Sequence, residues 1–313
     1  MIRDNDEFLH DYRRNARWIE RFSVNFIDRK NKLFGFADVN FYFLNKKTEF
    51  HWAVFLNDQI YAHQHQESFK EGVNQKVFAD KNLKYRVKVP RETIELEMKN
   101  EYLQCALTVN GAYPVYMFPS SVPDDAAAGF SGKKPEFWER YEQRCRATGM
   151  LTVKKGEKKG FSKKIDCIGF RKHSWGERYP EDMSSYSWIT VQFRDMTIDL
   201  TYMEIDRVSY SGGFISKKSG NIPVMCVEQE LFSMSRDRKS LLSSEFSYRD
   251  AQDDRDLIVS RKLHSLDMPL PRNRKSKYIR IRSFSEFMVI GTGKRGIGME
   301  EHYFSLDKLD KML

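Results

Sequence analysis

Cysteine is scarce in this sequence: Cys105, Cys145, Cys167 and Cys226 are the only four, widely spaced and without a Cys-x-x-Cys pair. That spacing excludes a zinc ribbon and a dense disulfide framework, and it leads to the expectation of reduced thiols in a cytoplasmic protein. Long apolar runs are missing as well. No stretch approaches the roughly 18 apolar residues of a membrane-spanning helix. Residues 1–15 are densely charged and lack the apolar centre of a signal peptide. The spacing Gly291-x-Gly-x-x-Gly296 matches a dinucleotide fingerprint, but no βαβ unit follows it, which removes that reading.

Aromatic residues and positive charge are abundant. Phe, Tyr and Trp make up 14% of the chain, with 23 Phe and 15 Tyr, and many of them alternate with polar residues. That alternation favours β-structure. The net charge of +9 is compatible with transient contact with a membrane surface or an acidic partner and identifies neither. The basic runs Arg13–Arg17, Lys154–Lys164 and Arg272–Arg282 are broken up by the acidic stretch Asp250–Asp256, and the second of them reads as a hairpin tip. No nucleic-acid partner is expected.

Read in order, the chain starts with an amphipathic helical stretch, Asp4 to Asn15, placing Phe8, Leu9 and Tyr12 on one face. From Trp18 the period becomes two. Short strands then recur every 8–12 residues: Phe34–Leu44, Phe50–Leu56, Ile60–Glu67, Tyr85–Val89, Thr93–Met98 and Leu103–Val109. This rhythm is the signature of an antiparallel barrel or sandwich. Pro114 to Lys134 reads as a long loop, after which strands continue to Phe304, with two separate ones expected at Lys277–Ser283 and Glu286–Ile290. A short helix is expected to begin at Leu306.

The chemically densest stretch is Cys167-Ile-Gly-Phe-Arg-Lys-His-Ser-Trp-Gly-Glu-Arg-Tyr179. In an extended chain His173 and Trp175 point to the same face, so an imidazole and an indole share one wall. The simpler alternative is a hydrogen-bonded core histidine packed on a core tryptophan. A second constellation, His63-Gln-His65 with His51 one strand earlier, has the spacing of a metal site on a strand face.

Several segments together resemble the AttH-like and carotenoid hydratase (hydroxyneurosporene synthase) group of lipocalin-like proteins. They are Trp18-Ile-Glu20, Glu142-Gln143 ahead of Thr148-Gly149, Gly169-Phe-Arg-Lys-His-Ser-Trp-Gly176, Trp188, and Gly296-Ile-Gly-Met-Glu-Glu301. The resemblance implies an all-β fold of two consecutive calycin-type antiparallel barrels, over residues 1–170 and 171–313. It also implies a large apolar ligand of isoprenoid, polyketide or fatty-acyl type, and a cofactor-free acid-catalysed hydration or cyclisation of a double bond. In the hydratase branch the His-x-Trp pair is followed one strand later by Tyr-x-Asp, whose carboxyl protonates the alkene. The matching strand here carries Tyr202-Met-Glu204, two residues further along. A second departure is Lys172, where relatives usually have Asp.

The catalytic set implied is thus His173, Trp175, Tyr202 and Glu204, with Arg171, Trp188, Trp18 and Glu20 against the ligand and no metal or cofactor. A non-catalytic lipid carrier, and a metal-dependent enzyme built on His51, His63 and His65, remain as alternatives.

Overall fold

A computed structural model describes residues 3–10, 17–69, 76–118, 139–178, 183–205, 208–236, 240–267 and 278–308. The chain divides into two compact units, Met1–Arg178 and Tyr179–Leu313.

The first unit is one antiparallel sheet. Its strands are β1 (Trp18–Asp28), β2 (Leu33–Tyr42), β3 (Lys47–Leu56), β4 (Gln59–Ser68), β5 (Val77–Ala79) and β6 (Leu83–Val89). They continue with β7 (Thr93–Lys99), β8 (Leu103–Gly111), β9 (Tyr116–Met117), β10 (Glu139–Val153) and β11 (Ser162–Glu177). The spatial order is β4-β3-β2-β1-β11-β10-β8-β7-β6-β5, with β9 alongside β10.

The period-two pattern determines what this sheet buries. Phe22, Val24 and Phe26 of β1, Phe50, Trp52 and Val54 of β3, and Leu103, Cys105 and Leu107 of β8 enter one apolar core. The sheet must curl to bring these together. Phe22 of β1 meets Phe78 of β5 at 4.6 Å between ring centres. The edges approach as well: His63 on β4 is 2.7 Å from Asp80, just beyond β5. This unit is a curled half-barrel whose concave face is the core side.

The second unit is a closed eight-stranded barrel running β12 to β19 in sequence order. The strands are β12 (Met183–Gln192), β13 (Thr197–Ile205), β14 (Val208–Lys217), β15 (Gly220–Met234), β16 (Leu241–Asp250), β17 (Arg255–Asp267), β18 (Tyr278–Val289) and β19 (Arg295–Ser305). Closure pairs β12 with β19 and leaves no free edge. Ile189, Val191, Ile198, Leu200, Phe246 and Phe287 fill one end of the interior, and Phe232, Leu241, Ile281 and Phe304 the other.

These two lipocalin-like units match the all-β expectation. Some details differ. The short N-terminal helix is, within the described residues, a single 3-10 turn at Asp4–Glu7, and Phe8 is already extended. The strands expected at Lys277–Ser283 and Glu286–Ile290 are one continuous strand, β18, because Ser283 and Ser285 carry the inward alternation from Ile281 to Phe287 and Val289 without a break. Most of the expected Pro114–Lys134 loop and residues 11–16 lie outside the described residues, as does the chain beyond Lys308, whose first turn, Leu306–Lys308, is helical.

Candidate functional site

The His-x-Trp segment lies at one end of β11, and strand register fixes what surrounds it. His173 is opposite Phe22 on β1 and Tyr141 on β10; Trp175 is opposite Glu20 and Glu139; Arg171 is opposite Val24 and Gln143. Because Phe22 and Val24 are core residues, all these partners face the concave side. Lys172 therefore faces the other way, where it pairs with Glu142 at 3.4 Å. Gly176 ends the segment at φ +135°, a backbone conformation that disfavours a side chain.

His173 is 1% exposed and sits within an aromatic wall. Phe22 stacks on it at 3.9 Å, Trp175 is at 4.7 Å and Tyr141 meets it edge-on at 5.5 Å. Its Nε2 lies 2.8 Å from Glu20 Oε1 and its Nδ1 2.8 Å from the Asp6 carbonyl oxygen. Glu20 is fully buried and gathers further donors: the His10 backbone N–H, His10 Nδ1 at 2.9 Å and Trp18 Nε1 at 3.4 Å. The His10 ring stacks on Trp175 at 4.3 Å.

Burial alone would raise the Glu20 carboxyl, but the hydrogen bonds from His10 and His173 outweigh it and hold the group below the usual carboxylate range. Burial also drives His173 down, and the opposing pull of Glu20 does not restore it, so the imidazole titrates below its ordinary value. The site at neutral pH is a carboxylate beside a neutral imidazole.

One strand step deeper lies Arg171. Its Nε donates to Gln143 Oε1 at 2.7 Å and its Nη1 to Glu7 Oε2 at 3.1 Å, and the Gln143 amide is held by the Tyr113 carbonyl at 2.7 Å. Burial raises the Tyr141 and Tyr85 phenols well above their usual value, with Glu7 adding to the effect. The Cys145 thiol is pushed up to about 12 by burial, so it is no nucleophile.

The eight residues singled out from the sequence divide between the units. His173, Trp175, Arg171, Glu20 and Trp18 come together on the concave face of the first. Tyr202, Glu204 and Trp188 belong to the second. There Tyr202 Oη is 3.1 Å from Ser209 Oγ, and Glu204 accepts from Ser184 Oγ at 2.8 Å and Lys308 Nζ at 2.7 Å. Trp188 Nε1 donates to Asp199 Oδ2 at 2.8 Å, on the face of β12 opposite the core residues Ile189 and Val191.

The metal-site alternative is not supported by the geometry. His63 and His65 share a face of β4 with Tyr61, but alternation along β3 turns His51 to the other face, where it meets Glu49 at 3.3 Å. Among the described residues, the group whose ligand atoms do approach one another is His10, Glu20 and His173, all within 4.8 Å.

Sequence reasoning missed His10, Glu7 and Tyr141, and named Gln143 only as part of the resemblance, with no role in the site. Tyr141 and Gln143 share the phase of Cys145 on β10, a signal readable once β10 is paired with β11. Nothing in the charged N-terminal stretch marks Glu7 or His10. A second buried pair was also missed. Glu300 and His302 lie inside the closed barrel, with Glu300 accepting from Ser244 at 2.7 Å, Ser285 at 2.5 Å and His302 Nε2 at 3.1 Å.

Residues 3–302 match a family model described as Domain of unknown function (DUF7064). The chain belongs to that family. A search of curated proteins finds no match. Three solved structures share the fold. An AttH candidate from Nitrosomonas europaea has a TM-score of 0.67 at 10% identity, covering 91% of this chain and 92% of that one. CghA bound to Sch210972 has a TM-score of 0.66 at 11% identity, covering 93% and 89%. Kievitone hydratase from Nectria haematococca has a TM-score of 0.64 at 10% identity, covering 91% and 89%. At these identities the likeness establishes the two-unit lipocalin-like fold. No helix among the described residues is long and apolar enough to cross a membrane.

Proposed function

We propose that this DUF7064 member binds a large apolar small molecule, of isoprenoid, polyketide or fatty-acyl type, on the concave face of its first unit. The His173–Glu20 pair then moves one proton during hydration or cyclisation of a double bond. The observation that carries this reading is a fully buried, titratable pair 2.8 Å apart, walled by Phe22, Trp175 and Tyr141.

For hydration the balance is simple. Starting from the neutral imidazole, His173 first takes a proton from solvent; in the resulting imidazolium form, held by the Glu20 carboxylate, it gives that proton to one alkene carbon. The faces of Trp175 and Tyr141 stabilise the cation on the other carbon. Water adds there, and the oxonium returns a proton to His173, restoring the pair. For cyclisation, the ring-closing bond replaces the attack of water, and loss of a proton from carbon returns it to His173. A group exchanging protons in this way cycles between imidazole and imidazolium, and histidine is the side chain whose ordinary range lies nearest neutrality; burial lowers His173 from that range and the Glu20 carboxylate opposes the shift. The name kievitone hydratase among the fold relatives supports the reaction class. Glu204 stays outside this reading, because it belongs to the second unit, where it pairs with Lys308 at 2.7 Å.

The test is native mass spectrometry of the purified protein, then organic extraction and turnover assays on the extracted compound or its dehydrated precursor. His173→Gln is expected to keep the ligand and lose turnover at least 100-fold, on the general scale of acid–base catalysis, whereas Glu204→Gln keeps turnover. Full activity in His173→Gln, or no apolar ligand in the wild-type protein under any extraction, refutes the proposal.

A further inference from the structure

The concave site is closed by a segment that is not part of the sheet. Residues 3–10 lie across it, and three of their groups make the contacts described above: the Asp6 carbonyl to His173, Glu7 to Arg171, and His10 to Glu20. The fit is poor where it matters. Glu7 is 1% exposed and its carboxylate is bonded by the Tyr141 hydroxyl, yet its Oε1 accepts no hydrogen bond among the described residues; Arg171 Nη2 is buried and makes none, and His10 Nε2 makes none and lies 3.9 Å from Asp6 Oδ1. His173 has an acceptor at each ring nitrogen, the Asp6 carbonyl and the Glu20 carboxylate, a pattern matched in full only by the imidazolium form, which burial disfavours. These groups lie along the seam between this segment and the sheet; buried atoms elsewhere, such as Asn40 Nδ2, Trp52 Nε1 and Ser216 Oγ, also make no hydrogen bond among the described residues, and what sets the seam apart is the buried guanidinium it contains.

Arg171 itself is built in. It is 2% exposed, its Nε is fixed by Gln143, and Tyr141 lies under its guanidinium at 5.5 Å. An arginine is not left in an apolar interior without a carboxylate or phosphate to answer its charge. Here the answering group comes from a single side chain on a one-turn segment. The rest of the concave face is Phe22, Val24, Phe78, Tyr85 and their apolar neighbours, which suit a hydrocarbon.

We propose that Glu7 stands in for the carboxylate of a ligand: the site takes an apolar carboxylic acid, whose headgroup displaces Glu7 and makes a two-point contact with Arg171 through Nη1 and the unpartnered Nη2. Residues 3–10 are then a self-displacing strap, and His173 is released from the Asp6 carbonyl when the acid enters. This rests on the apolar-ligand reading above and names the ligand class within it.

The experiment compares cis-parinaric acid with its primary alcohol as fluorescent probes in wild-type, Glu7→Gln and Arg171→Met proteins, each first checked for a native circular dichroism spectrum. The acid is expected to bind wild-type at least tenfold tighter than the alcohol. Glu7→Gln is expected to tighten the acid a further tenfold and leave the alcohol unchanged, and Arg171→Met to erase the preference. Should either variant fail to fold, hydrogen exchange on wild-type decides: the acid speeds exchange of amides in residues 3–10 and the alcohol does not. Equal binding of acid and alcohol, or bound acid with unchanged exchange in residues 3–10, overturns the strap while leaving an apolar site. Binding of neither probe to any folded form overturns both readings.

Discussion

Replacing Glu300 in the closed barrel separates two kinds of loss, and the structure sets the size of each. The side chain is 0% exposed and holds Ser244 at 2.7 Å, Ser285 at 2.5 Å and His302 Nε2 at 3.1 Å. In Glu300→Ala not all of these donors are stranded. Ser244 keeps its contact with Ser260 at 2.9 Å, and His302 keeps Ser187 through Nδ1 at 2.9 Å. Two groups lose their described partner, Ser285 Oγ and the Nε2 of His302. At about 1–3 kcal/mol for each buried polar group left unsatisfied, the loss is about 2–6 kcal/mol. A water entering the vacated space recovers part of it, which places the expectation at about 3–4 kcal/mol. Glu300→Gln keeps the volume and one carbonyl oxygen, and serine hydroxyls can rotate to accept from the new amide, so its cost is about 1–2 kcal/mol. Urea unfolding would measure both, with hydrogen exchange of β19 amides assigning the change to the second unit. A loss below about 1 kcal/mol for Glu300→Ala, or equal losses for the two variants, would refute the reasoning that this carboxyl is a hydrogen-bond hub.

Two further outcomes follow from the geometry. Glu20 and His173 both titrate below their ordinary values, so each contributes stability that is present above its unfolded-state value and lost as pH falls through its folded-state one. The first unit is therefore expected to lose stability on acidification, first below the ordinary histidine range through His173 and then below the ordinary carboxylate range through Glu20; a thermal midpoint that rises between pH 7 and pH 5 would contradict the direction for His173. Gly298→Ala is expected to disrupt the barrel, because a Cβ there would sit 2.0 Å from the Thr190 carbonyl oxygen on β12, and backbone cannot yield as a side-chain tip can. Native-like melting of that variant would show that the β12–β19 pairing is looser than described.

The fold was legible because period two is a strong signal wherever one face of a strand is buried. Phe22-Ser-Val-Asn-Phe26 and Phe50 to Leu56 each put their alternate residues into the core as their spacing implies. The site was legible only in part, and β1 shows why. Trp18, Glu20, Phe22, Val24 and Phe26 share the concave face, but Glu20 spoils the apolar pattern, and the exception is the residue proposed to act with His173. Its burial requires donors from other segments, among them His10, ten residues upstream, and His173, on a strand far along the chain. Pairing across such distances leaves no periodic trace. His51, His63 and His65 failed for the opposite reason: their spacing is suggestive, but alternation along β3 turns His51 to the far face.

The two buried carboxyl–imidazole pairs of this chain are built differently, and the contrast bears on which of them is functional. Glu300 and His302 lie two residues apart on one strand, and every hydrogen-bond partner described for them comes from the barrel's own strands: Ser187, Ser244, Ser260 and Ser285. Hydroxyls both give and accept, so each bond there finds a complementary partner, and such a pair is a fixed polar layer between two apolar clusters. Glu20 and His173 are held partly by residues 3–10, whose Asp6 carbonyl can only accept. The His173 ring then has an acceptor at each nitrogen, a pattern only the imidazolium matches in full, and Glu7 and Arg171 each keep an atom without a hydrogen bond along the same seam. Polar groups built only for stability are satisfied within the sheet, as the second pair is. The first pair is satisfied fully only after the segment over it has been exchanged for something else, which is the property a ligand site requires.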